Sequence, residues 1–260
     1  MHPTKLSLVY FSPTGSTKRV LEMIAGKLHL ETAEYDLTTY AGRAADIQFG
    51  PEEFVLFGCP VYGGRVPRLF VERLSGVTGS GTPCALVATY GNREYEDALL
   101  ELKNITKASG FRAVGAAAIV TEHSILRAVA AGRPDERDIA FIKGFALALR
   151  QKLEDASAGE AYPELIVPGN EPYRNYSTLG LTPDGSPKCA ACGLCVKKCP
   201  VGAISADHPR ETDQGKCIGC MRCVRLCPSQ ARNLARGKAE AVELHLKKAM
   251  KNRKEPEMFL

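Results

Sequence analysis

The chain has 260 residues, of which 45% are hydrophobic, and a formal net charge of +5. This length predicts one medium-sized domain and a smaller one, with enough apolar residues for at least one hydrophobic core. The N-terminus leads within a few residues into an apolar strand and lacks the long apolar stretch of a signal peptide. The longest apolar runs, such as Val114 to Val120, are far too short to cross a bilayer. We therefore expect a soluble, cytoplasmic protein without a membrane span.

A loop rich in hydroxyl groups follows the first predicted strand. The strand covers residues 6–11 and is almost continuously apolar, as expected at the centre of a parallel sheet. The loop, residues 12–17 with the sequence SPTGST, opens a helix whose apolar residues recur at helical spacing. A helix N-terminus lined with N–H and O–H donors is a suitable site for a phosphate group. The alternative is that the loop only caps the helix.

Two later apolar strands end in loops that contain tyrosine and glycine. Residues 54–58 lead into CPVYGGRVP at 59–67, and residues 84–89 lead into YGNREY at 90–95. With a further apolar run at 112–120, a weaker strand near 35–37 and helical patterns between them, the alternation predicts five βα units. The loops then lie at the carboxyl edge of a parallel sheet, where ligands bind. His123 falls on the same edge and is a candidate acid, although a loop histidine without such a role is more common.

These loops carry a resemblance. Residues 5–155 resemble flavodoxin-like domains, which implies a domain over residues 1–156 with a doubly wound parallel α/β sheet of strand order 2-1-3-4-5. The resemblance also implies bound FMN, with the phosphate on the hydroxyl loop, Tyr62 and either Tyr90 or Tyr95 stacked on the flavin ring, and the Gly63 peptide facing flavin N5. The implied cofactor-binding residues are Ser12, Thr14, Gly15, Ser16, Thr17, Pro60, Val61, Tyr62, Gly63, Gly64, Thr89, Tyr90, Gly91, Asn92 and Tyr95.

Eight of the ten cysteines form the run C-x2-C-x2-C-x3-C-P twice within residues 189–228. Three cysteines at this spacing converge on one 4Fe-4S cluster, and the fourth reaches the other cluster. The spacing therefore predicts two clusters with crossed ligands. Zinc favours well-separated ligand pairs and disulfides favour an oxidising compartment, and neither fits a repeated three-plus-one pattern. The predicted ligands are Cys189, Cys192, Cys195 and Cys227 for one cluster and Cys217, Cys220, Cys223 and Cys199 for the other.

The cysteine-rich stretch resembles two-cluster bacterial ferredoxins, which implies a small α+β domain over residues 188–236. Residues 157–187 before it carry five prolines and predict an extended surface linker. Residues 237–260 after it form the last segment. Within them Lys238 to Arg253 predicts a helix with Val242, Leu246, Ala249 and Met250 on one face. We expect the Met258 to Leu260 tail to dock with that helix.

Positive charge is concentrated in the C-terminal part. From Lys188 onward the chain has 15 Lys and Arg against 7 Asp and Glu. A basic stripe is one mark of nucleic-acid binding. Here, however, two thiolate-bound clusters carry negative charge that part of the surplus offsets. We therefore expect no nucleic-acid partner.

The whole chain resembles fusion proteins of anaerobic microbes that join a flavodoxin-like domain to a two-cluster ferredoxin. The resemblance implies electron transfer between two 4Fe-4S clusters and FMN, on behalf of a protein redox partner. No G-x-G-x-x-G fingerprint and no P-loop occur. Two alternatives stay open, namely a ferredoxin-linked reductase of a quinone or nitro compound and, less favoured, a redox sensor. We expect one cluster near the flavin and the other facing solvent near Lys197 and Lys198 or near Arg222 and Arg225.

Overall fold

The computed structural model describes residues 3–39, 46–155, 162–177, 179–235, 237, 240–244 and 250–260. Within these ranges no helix combines the length and the apolar character needed to cross a bilayer. The elements in chain order are β1 (Lys5–Tyr10), α1 (Ser16–Leu28), β2 (Glu31–Asp36), β3 (Ile47–Phe49), β4 (Glu53–Pro60), α2 (Arg68–Leu74), β5 (Val77–Gly79), β6 (Thr82–Tyr90), α3 (Ala98–Ala108), β7 (Phe111–Val120), α4 (Glu136–Asp155), β8 (Asp184–Gly185), α5 (Leu194–Lys198), α6 (Arg222–Leu226), β9 (Arg232–Asn233) and β10 (Glu257–Phe259).

Five parallel strands form the central sheet in the order β2-β1-β4-β6-β7. Numbered along the chain this order is 2-1-3-4-5, which is the flavodoxin-like doubly wound arrangement. Strands β4 and β6 are buried along almost their whole length because helices cover both faces, and this explains their unbroken apolar sequences. The fold predicted for this part of the chain is confirmed.

Alternate side chains of the central strands pack into two separate hydrophobic cores, one on each face of the sheet. Along β1, Leu6 and Leu8 pack with apolar residues of α1 and α4 on one face of the sheet. Val9 and Phe11 pack with residues of α2 and α3 on the other face. The period-two alternation of a strand therefore fixes the helices on both sides and leaves the carboxyl ends of the strands free to form a site.

The C-terminal segment ends in a strand rather than against a helix. Residues 240–244 are helical, Leu246 and Ala249 of the predicted helix lie outside the described residues, and Val242 packs with Met250 in a small apolar cluster. The expectation that the tail docks on this helix is wrong. The tail forms β10, which pairs antiparallel with β7, with Met258 opposite Ala117. It covers the outer edge of the sheet, whose unpaired backbone groups would otherwise be exposed.

Residues 162–177 and 179–187, here called the strap, connect the sheet domain with the cysteine-rich part of the chain. Before β8 their backbone is irregular, yet Leu165 and Val167 are buried in the core beside α3. The carboxylate of Asp97 accepts hydrogen bonds from the backbone N–H groups of Asn170 at 2.9 Å and Arg174 at 2.7 Å. The strap is therefore fastened to the sheet domain along its course.

The cysteine-rich part contains the two short helices α5 and α6 and a small two-stranded sheet. In that sheet β8, contributed by the strap, pairs antiparallel with β9, so that Gly185 lies opposite Arg232. The left-handed residues Gly193 and Met221 precede α5 and α6 at matching places in the two cysteine runs. The repeated sequence thus folds as two similar halves.

Candidate functional site

Four thiols surround one cavity in the cysteine-rich part. Its lining includes Cys189, Cys192 and Cys195 from the first run and Cys227 from the second. Cys192 is exposed, whereas the other three are partly buried. The fold thus brings together the four residues predicted to share a cluster, and we call this the cluster I site.

The remaining four thiols lie together on the side of the module that faces the sheet domain. Burial, together with the nearby charges of Cys223, Cys199 and Cys217 and against a hydrogen bond from the Arg222 backbone, raises the pKa of the Cys220 thiol to about 12. A thiol in this position stays protonated unless a cation compensates its charge, and iron supplies such compensation. These residues form the cluster II site, and their proximity fits the crossed ligation.

Each fourth cysteine receives the same backbone hydrogen bond. The N–H of Ala203 donates to Cys199 Sγ at 3.3 Å, and the N–H of Ala231 donates to Cys227 Sγ at 3.3 Å. All ten cysteines are unpaired. In the described part of the chain no three His, Cys, Asp or Glu side chains meet closely enough to bind a single metal ion. Thiols grouped around a shared site, with a backbone N–H donated to each fourth cysteine, suit a multi-iron cluster.

A cavity of about 360 Å³ opens at the carboxyl ends of β4, β6 and β7. Tyr62 and Gly63 line it from the loop after β4, Tyr90 and Gly91 from the end of β6, and His123 from the loop after β7. Its size is in the range of small-molecule and cofactor sites. We call it the ring-end cavity.

A smaller cavity of about 60 Å³ lies at the start of α1 and is called the phosphate-end cavity. Thr14, Ser16 and Thr17 line it, together with Pro60 and Thr89. The first N–H groups of an α-helix have no partner within the helix, so this end of α1 offers donors to an anion. The residues common to both cavities are Val61, Tyr62, Tyr90, Gly91, His123 and Ser124.

The residues of the hydroxyl loop make different contacts. Ser12 Oγ accepts a hydrogen bond from the N–H of Lys18 at 3.0 Å, so Ser12 performs the capping role. Gly15 has a φ of 87°, a left-handed conformation that turns the loop into the helix. Thr17 Oγ1 is 2.7 Å from Thr89 Oγ1, which ties the loop to the end of β6. Thr14 and Ser16 remain on the wall of the phosphate-end cavity, so capping and anion binding are compatible here.

Four of the sequence-predicted residues line neither cavity, namely Ser12 and Gly15 of the hydroxyl loop and, further away, Asn92 and Tyr95. Tyr95 packs edge-on behind Tyr90, and its hydroxyl donates to Glu257 of β10 at 2.9 Å. The Asn92 side chain donates to the carbonyl of Asn252 at 2.9 Å and accepts from the N–H of Lys254 at 2.9 Å. Both residues hold the C-terminal segment. The structure therefore leaves Tyr62 and Tyr90 as the tyrosines that line the ring-end cavity.

His123 is held as a neutral imidazole. Its Nδ1 accepts hydrogen bonds from the backbone N–H groups of Ile125 at 3.2 Å and Leu126 at 3.0 Å, which leaves the proton on Nε2. Burial, together with the positive charge of Arg93, lowers the pKa of His123 to about 4. Its ring packs against Gly91, where a Cβ would collide with it.

The strap covers the loop after β4. Gly63 and Gly64 both have positive φ, and a Cβ on Gly63 would collide with the carbonyl of Ser177. A Cβ on Gly64 would collide with Glu96, which pairs with Arg174 of the strap. The glycine pair is therefore required both by the backbone conformation and by the close approach of the strap.

The cluster II site adjoins the ring-end cavity. Cys217, Ile218 and Gly219 line that cavity together with Leu181 of the strap. The wall of the cavity is therefore assembled from the sheet domain, the strap and the cysteine-rich module. Cys217, a predicted ligand of the cluster II site, lines it directly.

Two arginines fasten the cysteine-rich module to the sheet domain. Arg222 Nη1 donates to the carbonyls of Ser12 at 3.2 Å and Pro13 at 3.0 Å. Arg73 donates to the carbonyls of Leu37 at 2.5 Å and Pro200 at 2.7 Å. Of the two basic surfaces predicted beside a solvent-facing cluster, the one at Arg222 and Arg225 has its Arg222 guanidinium turned to the sheet domain, whereas Arg225 is exposed.

Sequence reasoning missed several residues on the ring-end cavity. Arg93 lies in the predicted loop, but nothing in the pattern pointed to its side chain, and Arg174 and Leu181 belong to the strap, which lacks periodicity. Ile218 could have been assigned to the site from its position between the predicted ligands Cys217 and Cys220. The Gly63-Gly64 pair was the sequence feature that could have indicated the close approach of the strap to the loop after β4.

Comparison with known proteins assigns the cysteine-rich part. Residues 188–232 match the protein-family model described as 4Fe-4S dicluster domain. These residues form a two-cluster 4Fe-4S domain. The prediction that this part of the chain binds two 4Fe-4S clusters is thereby confirmed. The assignment of individual cysteines as ligands stays a prediction, which the geometry above supports.

Curated relatives match shorter stretches of the chain. NADH-quinone oxidoreductase subunit I of Psychrobacter cryohalolentis is 42% identical over 52 residues, which are 20% of this chain and 29% of that protein. The same subunit of Pseudomonas paraeruginosa is 38% identical over 80 residues, which are 31% of this chain and 40% of that protein. The chain thus spans less than half the length of these relatives.

Solved structures match somewhat more than half of the chain. Flavodoxin 2 from Bacillus cereus is 18% identical with a TM-score of 0.40, covering 57% of this chain and 99% of that one. The Flv1 flavodiiron core from Synechocystis is 16% identical with a TM-score of 0.43, covering 60% of this chain and 37% of that one. The doubly wound fold itself follows from the strand order described above.

Proposed function

We propose that this chain is an electron-transfer protein that passes electrons between its two 4Fe-4S clusters and a bound FMN, and that it serves a protein redox partner. The observation that carries the proposal is the shared wall, since Cys217, Ile218 and Gly219 of the cluster II site line the ring-end cavity. When bound, FMN can exchange one or two electrons, whereas a cluster exchanges one at a time.

The residues of the two cavities fit FMN. The phosphate-end cavity offers hydroxyls of Thr14 and Ser16 at a helix N-terminus, as an anion requires. The ring-end cavity offers the aromatic faces of Tyr62 and Tyr90, as a flat ring requires. Neutral His123 keeps an Nε2–H donor where the two cavities meet. We assign it the role of orienting the cofactor, because a group with a pKa of about 4 is a poor proton donor at neutral pH.

The coverage of the ring-end cavity favours a carrier over a reductase of small acceptors. Ser177 and Leu181 of the strap close one side, and the loop around Ile218 closes another. A quinone or nitro compound would need room beside the flavin that these segments occupy. A protein partner needs only the cluster I site, where Cys192 is exposed and Lys188, Lys197 and Lys198 surround it with positive charge. Such a partner would carry an acidic surface.

Anaerobic reduction kinetics test the proposal. Protein reconstituted with iron, sulfide and FMN is mixed with dithionite, and the iron–sulfur and flavin absorbances are followed. Flavin reduction should follow cluster reduction with a rate constant that does not change with protein concentration, because the transfer is within one chain. Cys220→Ala, which removes a cluster II ligand, should slow this phase far more than Cys192→Ala at the cluster I site.

Three outcomes would change the assignment. Protein that holds both clusters but binds no FMN would refute the flavin part. A flavin-reduction rate proportional to protein concentration would mean that the two cofactors exchange electrons only between molecules. Steady turnover of menadione or a nitroaromatic compound by the purified protein would replace the carrier with the reductase alternative.

A further inference from the structure

Arg232 occupies a position that is apolar in the other half of the module. The fourth cysteine of the first run opens the sequence CPVGAI, which ends at Ile204. The fourth cysteine of the second run opens the sequence CPSQAR, which ends at Arg232. Ile204 is a buried core residue, as expected, with 4% of its surface exposed. Arg232 is buried even more completely, at 1%. The repeat therefore places a charged side chain where its partner half has a hydrophobic one.

The charge of Arg232 has no carboxylate partner among the described residues. Its guanidinium donates to the carbonyls of Pro209 at 2.7 Å and Pro183 at 2.7 Å and to the hydroxyl of Thr212. Its Nε is buried and has no hydrogen-bond partner within the described part of the chain. Neutral carbonyls orient an arginine but do not neutralise it, and an uncompensated buried charge is strongly destabilising.

The anionic groups near Arg232 are the cluster ligands. Its side chain lines the cavity of the cluster I site, next to Cys227. Its positive charge also acts on the thiol of Cys223 in the cluster II site. Arg232 therefore lines the cluster I site and lies close to the cluster II site.

We infer that Arg232 is the counter-charge shared by the two clusters and that it holds their reduction potentials up. Reduction adds one negative charge to a cluster, and a fixed positive charge in a dry environment stabilises that product more than the oxidised form. The clusters in turn supply the negative charge that makes burial of the arginine tolerable. The inference concerns the two clusters alone and stands whether or not the chain binds FMN.

Redox titration of three variants tests this role. Arg232→Met removes the charge with similar length, Arg232→Lys keeps the charge, and Arg210→Met removes an exposed arginine from the same module as a control. Electron paramagnetic resonance of the full-length holoprotein follows each reduced cluster. In Arg232→Met the ratio of reduced to oxidised cluster at a fixed potential should fall at least tenfold, equivalent to about 59 mV for one electron. Arg232→Lys should retain most of the wild-type potential, and Arg210→Met should match the wild type.

The outcomes separate charge from packing. Unchanged potentials in Arg232→Met with full iron content overturn the inference, as do equal shifts in Arg232→Met and Arg232→Lys. If Arg232→Met fails to assemble clusters, Arg232→Gln, which keeps donors for the carbonyls, takes its place and should show the same shift. If both neutral variants lose the clusters while Arg232→Lys keeps them, the charge itself is required, which supports the inference. Loss of the clusters in all three Arg232 variants would assign Arg232 a role in packing and refute the inference.

Discussion

Arg222 links the cysteine-rich module to the hydroxyl loop, and its removal should weaken FMN binding in a way that depends on the phosphate. Its guanidinium donates to two carbonyls of the loop that forms the phosphate-end cavity. Its Nε is buried without a hydrogen-bond partner among the described residues, so this N–H beside the loop is free to donate to another group. Lys18, directly after the loop, is paired with Glu34 at 2.5 Å. Arg222 is therefore a cation next to the loop whose charge can offset part of the phosphate charge.

The size of the effect follows from these contacts. A hydrogen bond to a charged group contributes about 1.5–3 kcal/mol, and the loss of one such interaction corresponds to roughly a 10- to 100-fold change in Kd. We expect Arg222→Gln to weaken FMN by at least about tenfold, since glutamine keeps a donor but loses the charge. Riboflavin, which has no phosphate, should be weakened less than about threefold. The difference should shrink with added salt, because a partly exposed charge is screened over about 8 Å at 0.15 M ionic strength.

The assay is titration of deflavinated, cluster-loaded protein with FMN or riboflavin, followed by quenching of flavin fluorescence. Lys197→Gln is the matched control, because it makes the same charge change on α5, the counterpart of α6, at an exposed position. Equal weakening of FMN and riboflavin would mean that Arg222 only holds the module in place. Unchanged binding of both would remove any role for Arg222 in the flavin site.

Three further predictions concern single groups of the proposed sites. Cys195→Ala should lower the iron and sulfide content from about eight towards about four per chain, measured by chemical analysis after anaerobic purification, because one cluster loses a ligand while the other keeps its own. Thr14→Val should weaken FMN by about tenfold and leave riboflavin unchanged, since its hydroxyl lines the phosphate-end cavity; equal Kd values for FMN would show that the loop is only a cap. The pKa of His123, lowered to about 4 in the native state, means that only the unfolded chain takes up this proton as the pH falls from about 6.5 to 4. The free energy of unfolding should therefore fall by up to about 3 kcal/mol over that window, and His123→Gln should flatten this part of the profile in denaturant titrations.

The parts of the fold that the sequence predicts are those encoded locally. Strands β4 and β6 are buried on both faces, so their apolar runs identify them without any knowledge of neighbours. The cysteine spacing identifies the clusters for the same reason, because ligand geometry fixes it within a few residues. The hydroxyl loop at the start of α1 could be read as a phosphate site because a helix N-terminus has the same donors in every protein.

The parts that the sequence does not predict depend on long-range contacts. Asn92 looks like a ligand-loop residue until the C-terminal segment is in place, where its amide bonds Asn252 and Lys254. β10 has only three residues, Glu257–Phe259, and no alternation that distinguishes it from a tail. Arg222 reads as a surface cation because the loop carbonyls that it contacts lie about two hundred residues earlier in the chain. None of these partners leaves a periodic signal.

The strap gives the fusion of the two modules a physical reason beyond tethering. A flexible linker would raise the effective concentration of one module near the other without fixing their orientation. The strap instead contributes Leu165 to the sheet-domain core, Leu181 to the wall of the ring-end cavity, and the Pro183 carbonyl to Arg232 beside the cluster sites. One segment therefore touches the hydrophobic core, the proposed flavin site and the cluster pair. Because electron transfer depends on fixed spacing between cofactors, a chain cut within the strap should lose rapid flavin reduction even when both fragments retain their cofactors.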